Sequence, residues 1–147
     1  MTGTDLVTWP TGEVVDTATI HRHVESLRAV CAVVEITDST ILTPDRVIHE
    51  LVVASRAGAH HLIVTTVAAQ LKRAAARALQ DRKDDLTREG VSAVEVRIRT
   101  RAEKKAYDEA VEAAEAARRA GNLLSDHTAR LQSIGKRVDA MYAAGGA

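Results

Sequence analysis

The chain has 147 residues, 46% of them hydrophobic, 27% charged and only 2% aromatic, with no phenylalanine. Twenty Lys and Arg offset twenty Asp and Glu, so no net field draws the chain to nucleic acid or to an anionic membrane, and the apolar content excludes a disordered chain. A length near 150 fits one domain, and a core of Ala, Val, Leu and Ile suits closely approaching helices better than a β-sandwich. Cys31 is the single cysteine, which excludes an intramolecular disulfide and a thiolate metal cluster. Met1 to Asp16 hold no basic segment followed by an apolar run, so no signal peptide is expected. No unbroken apolar stretch approaches the length of a membrane span. The expectation is a cytoplasmic protein with no membrane partner.

In chain order, residues 1–16 read as an N-terminal arm or small hairpin. Leu6 to Trp9 and Glu13 to Asp16 flank Pro10-Thr11-Gly12, a turn signal. Residues 17–147 read as a helical domain with helices over about 18–36, 44–89 and 92–143. Thr17 caps the first, whose apolar positions Ile20, Val24, Leu27, Cys31 and Val34 step by four and three along one face. Thr43-Pro44-Asp45 opens the second, with a capping hydroxyl, Pro at the first helical position and an acid in the first turn.

From there two readings compete. A long helix sets Val47, Ala54, Ala57, His61, Val64, Ala68, Leu71, Ala75 and Ala78 along one seam. Gly58 and the β-branched run Ile63-Val64-Thr65-Thr66-Val67 disfavour it. The rival is an α/β fold with three short parallel strands, near Cys31–Thr37, His61–Thr66 and Val91–Thr100. The alternation Val94-Glu95-Val96-Arg97-Ile98-Arg99 supports that rival directly.

The last third leans towards helix. Ala110, Ala113, Ala117, Ala120, Leu124, His127, Leu131, Ile134, Val138 and Met141 keep a 3,4 spacing, the seam of a coiled coil or of a long antiparallel helix pair. Gly121 and Gly135 interrupt it at a cost of about 1 kcal/mol each relative to Ala, yet the period runs through them. A rod from Ser92 to Tyr142 would be roughly 75 Å long. Its apolar edge requires the 44–89 helix folded back at Glu89-Gly90-Val91, or another chain.

Leu42-Thr43-Pro44 with Arg46, Ala54-Ser55-Arg56, Gly90, and Leu131-Gln132-Ser133-Ile134-Gly135-Lys136 with Met141-Tyr142 form a pattern. It resembles small helical proteins encoded by tailed phages and prophages of actinobacteria. The resemblance spans Leu42 to Tyr142. It implies two long helices joined near Gly90, which tips the fold to all-α: a long antiparallel helical hairpin with an extra N-terminal amphipathic helix. The group has no assigned activity, so no catalytic residue is implied.

No constellation carries enzyme chemistry. His21 and His23, two apart on a helix, diverge, as do the adjacent His60 and His61. His49-Glu50 opens like a zinc-protease signature, but Val53 stands where its second histidine belongs. Ser55, Ser125 and Ser133 lie in no nucleophile elbow, and Cys31 reads as an inert thiol on an apolar face. No metal, cofactor or catalytic residue is expected. Under the α/β alternative, ligand chemistry would sit near Thr37-Asp38-Ser39 and Thr65-Thr66.

Two surfaces remain. A basic stripe of Arg97, Arg101, Lys104 and Lys105 on one helix face, with Lys72, Arg73 and Arg77 on the opposite arm, could contact phosphates without reading sequence. Its bland reading is a solvated face, since Lys104–Asp108, Lys105–Glu109 and Glu115–Arg119 can pair at i,i+4. The seam Ala110–Met141 is the stronger feature. Leu124, Leu131, Ile134, Val138 and Met141 would each contribute roughly 1.5–3 kcal/mol on burial. The functional expectation is a non-enzymatic protein–protein interaction or assembly protein, a homo-oligomer or a partner of a phage or host protein. Nucleic-acid binding and a small α/β enzyme or ligand-binding domain are the alternatives.

Overall fold

The computed structural model describes residues 6–32 and 43–145. Four helices follow one another: α1 (Thr17–Ala32), α2 (Pro44–Arg88), α3 (Ala93–Arg99) and α4 (Arg101–Gly145). The described residues form no sheet, only one antiparallel bridge between Thr8 and Val14. The all-α hairpin is therefore the architecture, and the α/β alternative is not supported. Cys31 is helical, while 33–37 of its first proposed strand, like the tail of the 18–36 helix with Val34, lies outside the described residues.

Packing explains why the β-branched run is helical. Val64, Val67 and Ala68 are buried while Ile63, Thr65 and Thr66 face outwards, the i, i+3, i+4 spacing of one helix face rather than alternation. Burial of that face outweighs the few tenths of a kcal/mol that each branched residue costs. Residues 94–99 mislead in the same way. Val96 alone is buried, with Val94 69% and Ile98 45% exposed. Ser92 caps this short helix by accepting from the backbone N–H of Glu95, the first half of a capping box.

α2 and α4 each have 45 residues, about 68 Å of helix apiece. They run antiparallel: Val47 lies at Gly135, Gly58 at Leu124 and His61 at Ala117. The reversal is compact. Gly90 adopts φ +80°, Gly90 N–H donates to Thr87 O, and Val91 N–H donates to Leu86 O, a Schellman closure that requires glycine at the left-handed position.

One boundary differs from expectation. The rod read as 92–143 is two helices that meet at Thr100, a buried residue with φ −104° and ψ 13°. Its hydroxyl donates to the Val96 carbonyl at 2.8 Å, and its own backbone N–H donates to the same oxygen. Thr66, Thr87 and Thr128 make the same back-bond inside unbroken helices, so what sets α3 off from α4 is the backbone conformation at Thr100 rather than its hydroxyl.

α1 lies against both long helices through Ile20, Val24 and Leu27. The arm joins the same core. Pro10-Thr11-Gly12 turns with Gly12 at φ +91°, Trp9 and Glu13 pair through the backbone, and Trp9 and Val15 are buried in the main cluster. Asp16 accepts from the Thr19 amide and hydroxyl at the start of α1, which holds its carboxyl below the ordinary aspartate pKa.

Candidate functional site

The heptad seam is buried within the chain. Ala110, Ala113, Ala117, Ala120, Leu124, His127, Leu131 and Val138 are all buried, Ile134 is half-buried, and Met141 is 70% exposed. The seam read as a surface awaiting another chain is thus mostly covered by α2 and α1, and Met141 falls off its end. The alanines at 113 and 117 have no exposure at all, and small side chains there let the neighbouring helices pack closely, with the His61 side chain reaching the Ala117 carbonyl.

The glycines serve the same approach. A Cβ on Gly121 would lie 3.0 Å from His61 Nε2, and one on Gly135 would lie 3.1 Å from Val47 Cγ1. His61 uses that space: its Nε2–H donates to the Ala117 carbonyl at 2.8 Å, linking α2 to α4 inside the core. This cross-helix bond requires the Nε2–H tautomer, since a carbonyl only accepts. A second polar crossing lies nearer the open end. Glu50 is buried and accepts from Arg46 at 3.1 Å, its charge acts on the buried His127, and His127 Nε2 has no hydrogen-bond partner among the described residues.

The surface that stays uncovered is a groove between α2 and α4. A cavity of about 550 Å³ is lined on one side by Ser55, Gly58, Leu62 and Thr65, and on the other by Gly121, Ser125, Thr128 and Gln132. No Asp, Glu, Lys or Arg lines it, and Lys136 and Asp139 appear only in its continuation towards Pro44 and Ile48. The outward side of α2 adds the apolar side chains of Ile48, beside Lys136 and Asp139, and of Val52, Leu62 and Ile63, all four between 39% and 68% exposed. α2 is also long and apolar enough to cross a membrane, by length and composition: an 18-residue window has mean hydropathy 1.3, with 28% of it buried in the fold. Counting unbroken apolar residues passes over such a window, because averaging tolerates single polar interruptions.

The basic stripe is rearranged. Arg97, Arg101, Lys104 and Lys105 line one concavity of about 610 Å³, joined by Lys83 from α2 and by Asp108, Glu109 and Glu112. Lys104 pairs with Asp108 at 2.8 Å and Lys105 with Glu109 at 3.9 Å, whereas Lys83, Arg97 and Arg101 have no carboxylate at ion-pair distance among the described residues. Lys72, Arg73 and Arg77 do not line it. Arg77 is otherwise engaged, Lys72 acts on Glu115, and Glu115 pairs with Arg118 rather than Arg119. Lys83 could not be singled out beforehand, since only the offset of the two arms brings it to the α3–α4 junction.

The histidines gather where sequence spacing gave no sign of it. Trp9 and His23 meet edge-on with ring centroids 4.8 Å apart, and His23 meets His60 at the same centroid distance. His23, His60 and His61 line one cavity of about 320 Å³ with Ser26, Leu27, Val30, Ala57 and Val64. Burial lowers the pKa of His23, helped by the charges of His60 and Arg22. Burial likewise lowers those of His61 and His127, against the Ala117 carbonyl in the first and Glu50 in the second. Burial also raises that of the half-buried Cys31 thiol.

Three imidazoles with folded pKa values below the unfolded 6.5 make the unfolded chain the stronger proton acceptor. Stability from these groups is complete above about pH 6.5 and is lost as pH falls from there through their folded values. The slope reaches at most about 1.4 kcal/mol per pH unit for each imidazole. Thermal melts between pH 7.5 and 5 should show a falling Tm, and His61→Gln should flatten that dependence.

No family model, curated protein or solved structure matches the chain.

Proposed function

We propose that the protein is a non-enzymatic helical interaction and assembly protein that acts as a homo-oligomer in the cytoplasm, in the phage or prophage setting that the resemblance implies. The observation that carries this reading is the open α2–α4 face, with small residues at its centre and Ile48, Val52, Leu62 and Ile63 outside. An uncharged groove favours an uncharged occupant, because a charged side chain seated there would lose water without gaining a partner. A second copy brings the same uncharged face to the interface, and zero net charge removes long-range repulsion between copies. A two-fold axis would set this same patch of each copy against the other.

Sedimentation equilibrium at tens of micromolar tests the reading. The parent should sediment at a multiple of the chain mass. Val52→Glu with Leu62→Glu, both at exposed positions, should give single chains of unchanged helicity. A parent that sediments as one chain would overturn the proposal. A second reading, sequence-independent nucleic-acid binding, draws on Lys83, Arg97 and Arg101, which have no ion-pair partner among the described residues. In the same preparation it requires a low-salt mobility shift of duplex DNA that weakens as salt rises and disappears in Arg97→Glu with Arg101→Glu.

A further inference from the structure

His23 on α1 and His60 on α2 are 37 residues apart in sequence, and their Nδ1 and Nε2 atoms are 3.0 Å apart. The ring centroids are separated by 4.8 Å and the ring planes by 62°. Two nitrogens facing head-on would add a full ring radius at each end of that 3.0 Å and hold the centroids further apart than they are. The two rings are therefore tilted off a head-on line. Two imidazole nitrogens in adjacent positions on one divalent ion, each at about 2.0–2.1 Å, are themselves separated by roughly 3 Å. The 3.0 Å separation of the pair matches that bite.

We propose that His23 Nδ1 and His60 Nε2 form a two-imidazole site for a tetragonal transition cation, Cu²⁺ first and Ni²⁺ after it, with water or a small exogenous ligand in the remaining positions. In the metal-free protein one of the two nitrogens donates its N–H to the other. On coordination both present lone pairs, and the shared proton moves to the other nitrogen of its own ring. Ligation requires neutral imidazole. No group of three or more His, Cys, Asp or Glu side chains surrounds the pair among the described residues. That leaves a site with open positions rather than the closed four-ligand cage of structural zinc, and among divalent ions nitrogen donors favour Cu²⁺. The adjoining cavity of about 320 Å³, floored by Leu27, Val30, Ala57 and Val64, offers room for the exogenous ligand.

Trp9 is the only tryptophan and touches His23, so its fluorescence reports the site through quenching by a bound paramagnetic ion. Titration of the untagged full chain with CuCl₂ and with NiCl₂ at pH 7.5 should give saturable quenching at one ion per chain. His60→Gln, at an exposed position, should weaken it about tenfold or more, whereas His49→Gln should leave it unchanged. Electron paramagnetic resonance of the Cu²⁺ form should show hyperfine coupling to two imidazole nitrogens, an assay that needs no variant. Absence of quenching at equimolar ion, equal quenching in His60→Gln, or a spectrum with a single coordinated imidazole each overturns the proposal.

Discussion

Leu131→Asp should abolish the folded state, while Ile134→Asp, three residues further along α4, should leave the chain folded with a modest loss of stability. The two positions carry the same heptad signature, and only the three-dimensional register separates them. Leu131 is 1% exposed and belongs to the central cluster, whereas Ile134 is half-buried at its flank. Removing a buried leucine side chain costs about 2–5 kcal/mol. A carboxylate in its place adds the desolvation of an unpaired charge, several kcal/mol more. The sum reaches the whole stability of a typical domain, about 5–15 kcal/mol. At position 134 a carboxylate can turn to water, so the loss should stay near 1 kcal/mol. Far-UV circular dichroism and urea melts check both; a folded Leu131→Asp protein would mean that α2 does not cover that stretch of α4.

Gly121→Val should destabilise strongly, and Gly58→Ala should stabilise, although both remove a glycine from a helix interior. Helix propensity favours alanine over glycine by about 1 kcal/mol. At Gly58 the new Cβ would find only Leu124 Cδ2 at 3.6 Å, an ordinary contact, so that gain should be realised. At Gly121 the first carbon already lies 3.0 Å from His61 Nε2 and 3.3 Å from its Cδ2, so the imidazole must give way whichever rotamer the branched side chain takes into the groove. His61 must then leave the Ala117 carbonyl, which strands two buried polar groups at about 1–3 kcal/mol each, beyond the overpacking itself. Urea unfolding of the two single variants should move the midpoint in opposite directions.

Much of this architecture can be read from local pattern. The capping triplet Thr43-Pro44-Asp45 and the reversal at Gly90 lie where expected, because both obey rules that act over a few residues. The 3,4 spacing in α4 marks the buried face correctly from Ala110 to Leu131, and at Val138. It could not say that the cover comes from the same chain, since intramolecular and intermolecular burial impose one periodicity. Nor could it locate Thr100 as a break, since threonines at 66, 87 and 128 stand inside unbroken helices. The two glycines that look like flaws in the heptads become necessary once His61 and Val47 are placed opposite them. Pairs such as His23 with His60, or Lys83 with Arg97 and Arg101, depend on the offset between helices, a quantity no single segment encodes.

The tight reversal at Gly90 has a consequence for assembly of the chain. Partners near it are close neighbours in sequence, but Val47 and Gly135 at the far end are separated by nearly the whole hairpin. Loop closure is least costly beside the turn and rises slowly outwards, so the two rods can zip from Gly90 towards their free ends. Docking of α1 and the arm then fastens the middle of the hairpin. The last turns to join, around Pro44 and Met141, are also the first to fray.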